Sequence, residues 1–132
     1  MAEPPTIVLK AQPEAIKEAR DWVGLILGAW GLDSFVARTV VTELATNAVK
    51  HGSQPGDPIV VRVYLRDGRP VVEAWDRSDE APVVRTPDEL SESGRGLLLM
   101  TQLVVRWGTR ALNEGGKVVW AECEAESVAS AG

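Results

Sequence analysis

A single cysteine, Cys123, is all the thiol chemistry in this 132-residue chain. That excludes an internal disulfide and points to a reducing compartment, with the thiol buried in a strand rather than reactive. Positive charge is in the minority. Fourteen basic side chains face nineteen acidic ones, a formal charge of −5, which disfavours broad attraction to DNA, RNA or anionic lipid. Direct nucleic acid binding is therefore not expected. No apolar run approaches the ~20 residues of a membrane helix, and residues 1–11 carry neither a basic leader nor a hydrophobic targeting segment. A cytoplasmic protein without membrane association is the expectation. There is no internal repeat. No Gly-Lys-Ser/Thr triplet marks a Walker loop, and no glycine fingerprint follows a strand directly as dinucleotide binding requires.

What is present suits one domain. Apolar residues make up 45% of the chain, enough for a core at this length but not for two. Residues 1–124 are expected to form the domain and residues 125–132, small and polar, a flexible C-terminal tail. Thr6 to Lys10 reads as a strand. A helix follows from Glu14 to about Ala29, with Ala15, Ala19, Trp22, Val23, Ile26 and Leu27 on one face and Gly31 as its stop. Asp33 or Ser34 caps a second helix, expected to run to His51 and to end at Gly52. Strands at 59–65 and 70–75 flank the hairpin signal Asp67-Gly68. Two more, at 105–112 and 117–122, flank a turn at 113–116. Between them lie a connection at 76–93, long enough to suggest function, and an apolar helical segment after Gly96. The predicted class is α/β (α+β): a two-layer sandwich in which a mixed, mostly antiparallel sheet is covered on one face by helices.

Three stations carry candidate chemistry. Glu43 and Asn47 are four apart, so a helix sets them on one face. A carboxylate there can take a proton from a hydroxyl, and an amide oxygen can face a hard divalent cation that also meets phosphate oxygens. The same pair also fits an ordinary solvated helix face. His51, near the helix end, also fits a simple capping role. Asp76 at a strand end can accept a hydrogen bond from an exocyclic amine, or it can begin an Asx-turn. Gly94-Arg95-Gly96 before a helix can bring backbone amides and a favourable dipole to phosphate, with Arg95 either a phosphate partner or an exposed cation beside Glu92.

Taken together, Glu43-x-x-x-Asn47-x-x-x-His51-Gly52, then Asp76, then Gly94-x-Gly96-Leu97 resemble the N, G1 and G2 boxes of the GHKL proteins with the Bergerat fold. The wording Glu-Leu-x-x-Asn-Ala-x-x-His-Gly and Glu-Ser-Gly-Arg-Gly-Leu is most similar to that of bacterial anti-sigma-factor serine kinases. The resemblance implies ATP and Mg2+ as cofactors, with Asn47 coordinating the metal, Glu43 acting as general base or orienting the attacking hydroxyl, and Asp76 recognising the adenine amine. Ser78 would fill the first glycine position of the G1 box, as in many anti-sigma-like relatives. His51, Gly52, Gly94, Arg95, Gly96 and Leu97 would lie around the nucleotide, and residues 77–93 would form its lid. It further implies a homodimeric kinase that phosphorylates a serine of a STAS-type anti-anti-sigma protein and sequesters a sigma factor. A non-catalytic nucleotide-binding regulator is the alternative.

Two departures bear on the site. The common Asp-x-Gly-x-Gly is here Asp76-Arg77-Ser78-Asp79-Glu80, without either glycine. The threonine that supports the adenine-binding aspartate in a Gly-Lys-Thr-Val context is here Val118, after Gly116-Lys117. Both lead to an expectation of weakened nucleotide binding.

Overall fold

The computed structural model describes residues 3–78 and 100–127. In chain order the elements are β1 (Thr6–Lys10), α1 (Glu14–Ala29), α2 (Phe35–Asn47), a π-helical turn (Ala48–Gly52), β2 (Pro58–Arg66), β3 (Arg69–Asp76), β4 (Arg106–Ala111) and β5 (Lys117–Glu122). Residues 100–103, just before β4, are helical. The strands form one sheet in the order β1-β2-β3-β5-β4. Every pairing among the described residues is antiparallel, within the mixed, mostly antiparallel class expected. The glycine-box segment at 94–97 and most of the expected lid lie outside the described residues.

Local chemistry accounts for the helix ends. Pro13 stands at the N-cap of α1 with helical backbone, φ −55°, the conformation its ring favours. At the other end Gly31 takes φ +74°, and Leu32 N–H reaches back to the Leu27 carbonyl at 3.0 Å, closing the helix as a left-handed cap does. Asp33 Oδ1 accepts the Phe35 N–H at 2.8 Å at the start of α2. Thr39, Thr42 and Thr46 then donate to the carbonyls four residues back, so these hydroxyls are satisfied within the helix itself. The β2–β3 hairpin turns through Asp67 at φ +51° and Gly68 at φ +81°, two left-handed residues whose twist matches that of the strands they join.

The core lies between the helices and one sheet face. Ala15, Ala19, Val23 and Leu27 of α1 and Val40, Val41 and Leu44 of α2 are buried against Ile59, Val61, Val63, Val72, Ala74, Val119 and Ala121. Each larger aliphatic side chain removed from water in this way contributes about 1.5–3 kcal/mol. The other sheet face has a different composition. Arg62 lies over the Trp75 ring at 4.8 Å, Glu73 accepts from Tyr64 Oη and Trp75 Nε1, each at 3.0 Å, and Arg69 and Arg106 both reach Glu122 at 3.3 Å. Arginine stems shield the strands there while their heads stay wet. Residues at the start of the expected tail run beside the α1–α2 connection: Asp33 N–H donates to the Glu126 carbonyl at 2.7 Å, and Leu32 and Ser127 form an isolated bridge.

Candidate functional site

Glu43 and Asn47 occupy the last two turns of α2, and both are partly buried. The flank of the helix bearing Glu43 borders an open groove of about 230 Å³ that is also lined by Arg20, Phe35, Arg38, Thr39 and Thr42. Burial pushes the Glu43 carboxyl above the ordinary carboxylate range, with nearby Lys50 pulling the other way. A half-buried carboxylate with raised proton affinity, open on one side, has the properties a general base needs.

Where the sequence pattern predicts α-helix as far as His51, the α-helix closes at Asn47 and the next five residues, Ala48–Gly52, form a wider π-helical turn. A π turn lengthens the hydrogen-bonded loop by one residue and re-aims the side chains around it, and such turns are frequent at functional sites. Ala48 remains buried in the core, while Lys50 and His51 point to solvent.

Asp76 closes β3. Ala74 two residues earlier faces the helices, so the pleat turns the Asp76 carboxylate to that same side. Both α2 and the π-helical turn pack on β3, so Asn47 and Asp76 belong to one side of the sheet. The carboxylate is 2% exposed and pairs with Lys117 Nζ at 3.0 Å, itself 6% exposed. Ser78 N–H donates to the same oxygen, Oδ1, at 2.9 Å, which is the Asx-turn open to this residue from sequence. Burial raises the proton affinity of Asp76, and the hydrogen bonds from Lys117 and Ser78 oppose it. A second cleft of about 490 Å³ at the end of β3 is lined by Asp76 itself together with Trp75, Arg77, Leu112 and Glu114 among others. Its Val60 and Trp75 walls belong to the opposite sheet face.

Lys117 is the residue that sequence reasoning missed. The family pattern puts the supporting threonine at position 118, where valine implied that the support is lost; Val118 is paired with Trp75 and points to the opposite face, whereas Lys117 is the register partner of Asp76. The signal was a lysine opening an otherwise apolar strand directly after two glycines. Gly116 belongs to the same arrangement. Its φ is +92°, and a methyl group there would overlap the Asp76 main-chain oxygen. Cys123, buried and with its thiol pushed up to about 12 by its apolar surroundings, has no place in the chemistry.

The donor set suits a magnesium nucleotide. Mg2+ favours hard oxygen and retains water, so it needs only one or two protein oxygens when phosphates supply others; the Asn47 amide could supply one. Among the described residues no group of three His, Cys, Asp or Glu side chains could form an all-protein cage.

An antiparallel sheet backed by two helices, with Glu43 and Asn47 on the second helix and a buried carboxylate ending the central strand, defines a GHKL-type ATP-binding fold of the Bergerat kind. The chain belongs to the histidine kinase-like ATPase domain family, whose model matches residues 9–123. Among solved structures it is similar to the RsbU and RsbW domains of Rv1364c from Mycobacterium tuberculosis, with a TM-score of 0.64 and 23% identity. That match covers 96% of this chain and 35% of the other, so the chain spans about a third of that protein's length. No curated protein matches the sequence significantly. No helix among the described residues is long and apolar enough to cross a membrane.

Proposed function

We propose that the protein is an ATP-dependent protein serine kinase and anti-sigma factor. In this reading it transfers phosphate to a serine of a STAS-type anti-anti-sigma partner and, as a homodimer in the cytoplasm, sequesters a sigma factor. The observation that carries the catalytic part is Glu43: half-buried, with raised proton affinity, one helical turn from Asn47 and bordering an open groove. A module that only binds nucleotide has no chemical need of such a base.

ATP, when bound, supplies the phosphoryl group, and its magnesium offsets the charge on the phosphates. Asn47 would hold the metal through its amide oxygen. Asp76 would accept the N–H of the adenine amine and so orient the base. Glu43 would accept the proton of the partner's serine hydroxyl, with the groove through Arg20, Phe35 and Arg38 as the way in for the polypeptide. Gly94, Arg95, Gly96 and Leu97 complete the reading as the phosphate-facing segment, with His51, Gly52 and Ser78 at the rim. Phe35, 61% exposed, supplies an apolar contact for the partner; Trp30 is partly buried against the core.

The test is label transfer from [γ-32P]ATP to a purified STAS partner. Transfer by the wild type and its loss in Glu43→Ala, with ATP affinity retained, is the expected result. ATP binding and sigma inhibition without transfer would establish the alternative, a non-catalytic regulator.

A further inference from the structure

The Lys117–Asp76 pair is a buried ion pair whose two partners lie directly opposite each other on β5 and β3. A buried pair is a poor way to gain stability, because desolvating two charges costs about as much as their attraction returns. Its value lies in what it fixes. Lys117 Nζ and the Ser78 N–H both bind Oδ1, and neither bond uses Oδ2. Gly116 lets the backbone of β5 come up against Asp76 itself, which sets the register that puts the ammonium there.

We infer that Lys117 is the specificity-determining positioning residue of this site: it holds Asp76 in its ionised, acceptor-only form and leaves Oδ2 to meet a purine. The inference rests on the reading of Asp76 as the base-recognition residue. An ionised carboxylate can only accept hydrogen bonds, whereas a protonated one also donates. At the 6-position adenine presents a donor and guanine an acceptor, so an ionised Asp76 that meets this position favours adenine, and a protonated one loses that preference. A site built around one hydrogen-bonding pattern rejects the other strongly, because the mismatch strands a buried polar group. Lys117 thereby does more than brace the loop.

The charged groups on the elements around Asp76 include Glu43, Lys50 and His51 on α2 and the π-helical turn, Arg77 next in the chain and Glu114 in the cleft; Lys117 and the Ser78 amide are the groups that hydrogen-bond its carboxylate and oppose its burial. Without the ammonium, burial acts with less opposition and the carboxyl protonates at a higher pH.

The experiment is calorimetric titration of the full chain with MgATP and MgGTP from about pH 5.5 to 8.5, on the wild type, Lys117→Met and Lys117→Gln. The glutamine keeps a neutral donor, one bond shorter, without the charge, and it also covers the case in which the methionine variant fails to fold. Either variant is expected to weaken ATP binding about tenfold or more near neutrality. Its ATP affinity should fall more steeply than that of the wild type as pH falls over that range, and the preference for ATP over GTP should narrow with it. Wild-type ATP binding that is matched by both variants, with equal base preference and unchanged pH profiles, overturns the inference while leaving the site intact. Tighter ATP binding in the variants also overturns it, since Lys117 would then be a competitor. A wild type that binds no ATP defeats the underlying reading of Asp76, and the inference with it.

Discussion

Gly116 and Asp76 touch through their backbones: a Cβ on Gly116 would overlap the Asp76 carbonyl oxygen, and Gly116 itself adopts φ +92°. The β4–β5 turn is therefore fitted to the end of β3, and the glycine is required twice over, for its conformation and for the space. Gly116→Ala is expected to destabilise the fold by about 1–3 kcal/mol, the usual cost of one such strained residue, and to weaken ATP binding by displacing Asp76. Urea unfolding together with ATP titration checks both effects. Gly68→Ala serves as the control, because Gly68 has φ +81° but nothing within 4 Å of its would-be Cβ, so it should lose stability without losing ATP affinity.

Glu43 should cost the fold stability in return for its position. Its folded proton affinity is raised above the ordinary value of 4.5, so between that value and the folded one the native state holds more protons than the unfolded state. Stability therefore falls as pH rises through this window. Glu43→Gln removes the titration, and the variant should be more stable than the wild type at about pH 7, with the gap closing below about pH 4.5 where the wild-type carboxyl is protonated in both states. Urea midpoints measured across this range test it; a gap of constant size, or a less stable variant near neutrality, would contradict the assignment.

The open sheet face carries a second buried carboxylate whose support is shared. Glu122 is 2% exposed, and Arg69 and Arg106 both reach its Oε2 at 3.3 Å, while Oε1 is buried without a hydrogen-bond partner. Either arginine alone still partners the charge, so Arg69→Ala and Arg106→Ala should each cost little, given that both guanidiniums are partly solvated. Removing both leaves an uncompensated buried charge, and the double variant should lose more than the sum of the singles by about 1–3 kcal/mol. A double-mutant cycle in urea measures this coupling, and strict additivity would refute it.

Much of the fold was legible in the sequence because its signals are local. The alanine, valine and leucine spacing of α1, the Asp67-Gly68 turn and the glycine after Trp30 each act within a few residues, and the structure places elements where these signals put them. The candidate site was legible only in part. The π-helical turn after Asn47 leaves no periodic signature, since five residues are too few to separate a wider turn from an α-helical one. Lys117 was overlooked because its importance arises from cross-strand register: the pairing of Asp76 with residue 117 rather than 118 is fixed by the hairpin and by the fit of Gly116, and a one-residue slip would exchange their faces.

Calorimetric titration with ATP, in the presence and absence of magnesium and beside GTP, tests the central claim most directly. The account predicts magnesium-dependent binding selective for ATP, abolished or strongly weakened by Asp76→Asn, and weaker than submicromolar because Arg77 and Ser78 stand in a segment that lacks both G1 glycines. No ATP binding at about millimolar concentration, where the interaction would be worth less than about 4 kcal/mol, would contradict it and leave a fold that acts through protein contact alone.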